Sequence, residues 1–112
     1  MERDKGDVPV VTESAQHLGL KKCIVDKFGG EAERTVNGKV DIFRGEKENI
    51  EIELTNDREN LVYSSWKLFQ GGGGYLIVSQ SNYEKAKKIA ESFDGVKVTT
   101  IERVCPEWDE YI

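Results

Sequence analysis

The chain has 112 residues, 38% hydrophobic and 33% charged, with a formal net charge of −5. That length holds one modest core rather than two domains, and the acidic balance excludes a protein that grips nucleic acid through an overall positive field. No apolar run approaches the roughly 20 residues of a membrane span and the opening residues lack the apolar stretch of a secretory signal, so a cytoplasmic protein without membrane contact is expected.

Residues 1–10 read as a loose arm, 11–104 as a single domain and 105–112 as an acidic tail with two aromatics. A helix is expected over 13–28: Thr12 can cap it, Ala15, Leu18, Leu20, Ile24, Val25 and Phe28 supply an apolar face, and Gly29 with Gly30 end it. A short strand over 31–36 follows and closes at the Asn37-Gly38 turn, a strong hairpin signal. Residues 39–43 and 49–54 then read as two strands joined by a polar turn. Asn56 and Asp57 can cap a second helix running to about Gln70, with Leu61, Val62, Trp66, Leu68 and Phe69 on its buried side. Gly71 to Gly74 break that helix and read as a flexible connection, since a phosphate-cradling loop would run from strand to helix instead. The apolar run 75–79 is an interior strand, a third helix over 83–93 is capped by Ser81 or Asn82, and a last strand covers 96–101.

The hairpin carries the chemistry. Side chains alternate along a strand, so Val40, Ile42, Ile50, Ile52 and Leu54 share one face while Lys39, Asp41, Phe43, Asn49, Glu51 and Glu53 share the other. A turn symmetric about Glu46 sets Asp41 opposite Glu51 with Cβ atoms roughly 4.5 to 5.5 Å apart, where like charges repel unless something positive lies between them. Oxygen donors of this kind suit magnesium or manganese. The same pattern also reads as the solvated face of an antiparallel hairpin, with Lys39, Arg44 and Lys47 neutralising the acids.

The order α-β-β-β-α-β-α-β, with an acid in the second strand and another early in the third, resembles the PD-(D/E)xK nuclease superfamily. Its restriction-endonuclease-like core is αβββαβ, and its signature is an Asp followed, after a hairpin, by (D/E)-x-K. The arrangement looks most like archaeal Holliday junction resolvases and small nucleases of archaeal mobile elements, and the resemblance covers residues 13 to about 80. It implies an α/β fold with a mixed central sheet flanked by helices, extended by a C-terminal helix and strand.

It implies further that Asp41 and Glu51 bind Mg²⁺ or Mn²⁺, that Glu13 completes the metal site, and that DNA phosphodiesters are the substrate. Relatives of the resolvase type often dimerise, so a homodimer is compatible. Glu53 departs from the pattern, standing where the family carries Lys. Lys67 on the second helix is available in its place, next to Asn60 and Ser64 at helical spacing. The catalytic set is then Asp41, Glu51, Glu53 and Lys67, with Lys21, Lys22, Asn60 and Ser64 as nucleic-acid contacts.

Bland alternatives stand beside each of these. Lys67 also reads as a solvated helix lysine, Glu13 as a first-turn acid favoured by the helix dipole, and Glu53 as the partner of Lys39. The lysines at 21, 22, 27, 85, 87 and 88 read equally as solvated helix surface. His17 reads as a helix-surface histidine, Trp66 as core, and Cys23 and Cys105 as reduced structural cysteines with no metal-ligand spacing. A non-catalytic nuclease-like module of a replication or mobile-element complex, binding nucleic acid or protein, is the alternative to an enzyme.

Overall fold

A computed structural model describes residues 14–32, 41–43 and 48–112. The elements are α1 (Ala15–Phe28), β1 (Glu31–Ala32), β2 (Ile42–Phe43), β3 (Asn49–Ile52), α2 (Arg58–Gln70), β4 (Gly74–Val78), α3 (Tyr83–Ala90), β5 (Val96–Thr100) and a final helical turn α4 (Ile101–Val104). The strands form one five-stranded sheet in sequence order. Pairing is antiparallel from β1 to β3 and parallel from β3 to β5. The chain is thus an α/β protein with a mixed sheet. Thr12, Glu13, the Asn37-Gly38 turn and the hairpin residues Lys39, Arg44 and Lys47 lie outside the described residues.

Local signals explain where the helices begin. The Ser14 side chain caps α1 by accepting from His17 N at 3.1 Å, and Asp57 caps α2 by accepting from Glu59 N at 2.9 Å. Each such cap is worth about 1 kcal/mol, because it satisfies a donor that the first turn leaves without an intrahelical partner. The third helix is shorter than expected, ending at Ala90, and a 3-10 turn at Gln80–Asn82 precedes it.

Each face of the sheet buries its own apolar cluster. Leu20, Cys23 and Ile24 of α1 pack on Ile42, Ile50, Ile52 and Ile77, while Leu61 and Leu68 of α2 with Ala86 and Ile89 of α3 pack on Leu76 and Val78. Strand β3 is covered on both sides, so all four of its residues are buried. The reading of its polar face as solvated therefore fails for Glu51, which is only 2% exposed.

The apolar face of α2 is also corrected. Leu61 and Leu68 are fully buried, but Trp66 is 40% and Phe69 44% exposed, and Ser64 and Ser65 take the inward positions instead. Ser65 tolerates burial because its hydroxyl donates to the Leu61 carbonyl one turn back, at 2.8 Å.

The glycine run is a packed turn rather than a slack connection. Gly72, Gly73 and Gly74 have φ of 98°, 116° and 152°. A Cβ on Gly74 would collide with the Asn49 backbone, and one on Gly73 would come within 2.8 Å of the Gly95 carbonyl. Only glycine lets β4 approach β3 and the turn before β5 this closely. Asn49, fully buried on β3, ties the same turn down by donating from Nδ2 to Gly71 O at 3.0 Å.

The C-terminal residues return over α1. Cys23 and Cys105 are joined by a disulfide with Cα atoms 6.4 Å apart, which overturns the expectation of two reduced thiols. Lys27 Nζ donates to Val104 O at 3.0 Å and pairs with Glu107 at 2.8 Å, and Tyr111 OH donates to Asp26 at 2.8 Å. Among the described residues no helix is long and apolar enough to cross a membrane.

Candidate functional site

The pairing of Ile42 with Ile50 fixes the register of β2 on β3. Counting one residue outward sets Asp41 opposite Glu51, as the symmetric turn requires. Beyond that pair the strands are held by side chains: Asp41 N donates to Glu51 Oε2 at 3.0 Å, and Ile52 N donates to Asp41 Oδ2 at 2.7 Å. The two carboxylates thus meet where β2 begins and β3 ends. This is also where the sheet changes from antiparallel to parallel pairing, at the carboxyl end of a strand, a position where open α/β sheets commonly bind ligands.

Helix α2 brings the positive charge. Lys67 Nζ lies 2.9 Å from Glu51 Oε1, with the lysine side chain 16% and the glutamate side chain 3% exposed. The alternative of a solvated helix lysine therefore does not describe Lys67. Burial and the neighbouring Asp41 charge nonetheless outweigh this ammonium and raise the Glu51 pKa from 4.5 to about 7.

Glu53, just past the end of β3, is held away from the pair by a polar clasp. Its Oε2 accepts from Thr55 N at 3.1 Å and Thr55 Oγ1 at 2.7 Å, and its Oε1 accepts from Ser64 Oγ at 3.2 Å. Asn60 donates to Thr55 Oγ1 at 3.2 Å and so supports the clasp from outside. Ser64 is nearly buried, which makes it a support for Glu53 rather than a surface contact for nucleic acid. Lys21 is only 4% exposed and leaves the proposed exposed basic face, whereas Lys22 remains on the surface.

Two participants were missed in the sequence. His17 Nε2 lies 3.4 Å from Asp41 Oδ2, reaching the site from the start of α1. Nothing local signals this, because the contact joins residues in separate elements across the fold. Tyr63 is the second: Lys67 Nζ sits 4.9 Å from its ring centroid, so it borders the site. The spacing of Tyr63 and Lys67, four residues apart on one helix, was the available signal.

Glu13 lies outside the described residues, and among those described no group of three His, Cys, Asp or Glu side chains is arranged to hold a metal ion. Gln80, which follows β4, donates its N–H to Glu102 at 3.1 Å and takes no part in this cluster. Comparison of the chain with protein-family models, with curated proteins and with solved structures finds no match.

Proposed function

We propose that this chain is a metal-dependent nuclease of the PD-(D/E)xK type, with a restriction-endonuclease-like fold, hydrolysing DNA phosphodiesters. The observation that carries the reading is the meeting of Asp41, Glu51 and Lys67 at one strand junction, with Lys67 arriving from the following helix in place of a lysine at position 53. The mixed sheet with three antiparallel strands first supports it as well.

The donor set fits Mg²⁺ or Mn²⁺. Both carboxylates are hard oxygen ligands, and the two meet at one strand junction. A cation bound there supplies Lewis acidity toward a phosphoryl oxygen and an acidified water. The chain's own residues do the rest. Asp41 and Glu51 fix the position of that charge through their crossed backbone hydrogen bonds. Lys67, 2.9 Å from Glu51, would stabilise the charge gathering on the pentacovalent phosphate. Glu53, clasped by Thr55 and Ser64, would support the edge of the site without entering it. A DNA substrate favours the cytoplasm, while the Cys23–Cys105 disulfide counts against it, since such bonds are rare in reducing compartments.

A second reading, a non-catalytic module on the same fold, draws on the Lys67–Glu51 ion pair, which already gives the buried acid a partner without any metal. Unfolding measured across a Mg²⁺ or Mn²⁺ titration at pH 8 separates the two. The nuclease reading expects stabilisation of about 2.7 kcal/mol at a hundredfold excess over Kd in the wild type and none in Glu51→Gln. Equal behaviour of the two proteins favours the module.

A further inference from the structure

Large aromatic rings usually bury themselves, yet Tyr63 is 56% and Trp66 40% exposed on the outer side of α2. Their rings are stacked, with centroids 5.9 Å apart and planes within 14°. They therefore pack against one another as a single exposed aromatic unit rather than as two separate side chains. Phe69, the next exposed ring on this helix, is turned away and packs edge-on against Phe93 at 6.1 Å.

The Tyr63–Trp66 shelf begins where the acidic site ends. Lys67 Nζ lies 4.9 Å from the Tyr63 centroid and 2.9 Å from Glu51 Oε1, so a single ammonium touches both. A phosphate drawn to Lys67 has an aromatic surface immediately beside it. We propose that Tyr63 and Trp66 are a stacking platform for an unpaired nucleobase flanking the phosphate at the Asp41–Glu51–Lys67 site, so that the substrate is DNA with single-stranded character at the point of cleavage. The proposal rests on the nuclease reading and specifies its substrate.

Two physical arguments favour this occupant. Bases in a duplex are stacked on one another and offer only their edges to a protein, whereas an unpaired base has a free π face that any aromatic ring can cover. The chain also carries a net charge of −5, so general phosphate attraction contributes little to its affinity. Stacking, which is uncharged, must then supply a larger share, and binding should depend only weakly on salt.

The test reads binding apart from chemistry. The full chain carrying Asp41→Asn is titrated with a short oligothymidylate and, separately, with a hairpin duplex, in the presence and absence of Trp66→Ala. Trp66→Ala is expected to weaken oligothymidylate binding by about 5- to 150-fold while leaving the duplex within about twofold, and Trp66→Phe to retain most of the affinity. Tyr63→Ala, at the more exposed ring, provides a second variant should Trp66→Ala lose its fold by circular dichroism. Unchanged oligothymidylate binding in the folded alanine variants, or an equal loss for duplex, overturns the platform. A wild type that cleaves DNA while Trp66→Ala binds normally overturns the platform alone. A wild type that cleaves nothing yet binds oligothymidylate through Trp66 overturns the nuclease reading and keeps the platform. No binding of oligothymidylate at all overturns the platform, and the nuclease reading then stands or falls on cleavage of duplex DNA.

Discussion

Asp41 and Glu51 cross-link the two strands that carry them: the Asp41 N–H donates to the Glu51 carboxylate at 3.0 Å, and the Asp41 carboxylate accepts from the Ile52 N–H at 2.7 Å. Each acid is therefore structural as well as a candidate ligand. Two substitutions of Asp41 separate the roles. Asp41→Asn keeps an acceptor for Ile52 and removes the charge that repels Glu51, so the Glu51 pKa falls and stability at pH 8 is held or increased. Asp41→Ala leaves the Ile52 donor without its partner and costs about 1–2 kcal/mol. Denaturant unfolding of both variants checks this, and both lose cleavage.

The buried Glu51 sets a pH dependence. Its folded pKa is raised from 4.5 to about 7, by burial first and by Asp41 second. The folded protein then holds a proton that the unfolded chain releases, so stability falls as pH rises from about 4.5 to about 7 and levels off above that. The full effect is on the order of 3 kcal/mol. Unfolding free energies of wild type minus Glu51→Gln, measured from pH 4.5 to 8, should decline across this window. A difference that is flat, or that rises with pH, contradicts the assignment.

The disulfide spans a sequence separation of 82, a long loop whose closure restricts the unfolded chain. Reduction, or Cys23→Ser with Cys105→Ser, is expected to lower stability by about 2–5 kcal/mol. Loss is expected first in the C-terminal turn over α1, which hydrogen exchange would detect as faster exchange around Cys105 and Trp108.

The glycines differ sharply in what they tolerate. Gly74→Ala forces a Cβ onto the Asn49 backbone at a φ of 152° and should cost more than about 3 kcal/mol. Gly29, with φ of 82° and nothing within 4 Å of an added Cβ, should lose only about 1–2 kcal/mol on changing to Ala, the cost of the left-handed backbone alone. Thermal unfolding of the two variants gives the comparison directly.

What could be read from the sequence is what short-range periodicity encodes. The two-residue alternation around a central turn was enough to place Asp41 against Glu51, and Asp57 marked the start of α2. Lys67 was offered only by the resemblance, as a lysine on the following helix that could replace the one missing at 53. Burial was harder, because an apolar stripe names a helix face without naming what covers it. Trp66 and Phe69 are exposed while the smaller Ser64 and Ser65 turn inward. Contacts between distant segments left no local trace: the Cys23–Cys105 bridge, His17 beside Asp41 and the burial of Lys21 all depend on how α1 lies against the sheet and the C-terminal turn. The glycine run looked slack because a packed turn and a loose one have the same composition.

The most direct test of the central claim is the rate of DNA cleavage in Mg²⁺ or Mn²⁺ by the wild type beside Asp41→Asn, Glu51→Gln and Lys67→Met. The account predicts cleavage by the wild type and a loss of about a hundredfold or more in each variant, since each removes charge aimed at the reacting phosphate. Absence of cleavage by the wild type with either metal, or cleavage that survives Asp41→Asn and Glu51→Gln unchanged, would contradict it.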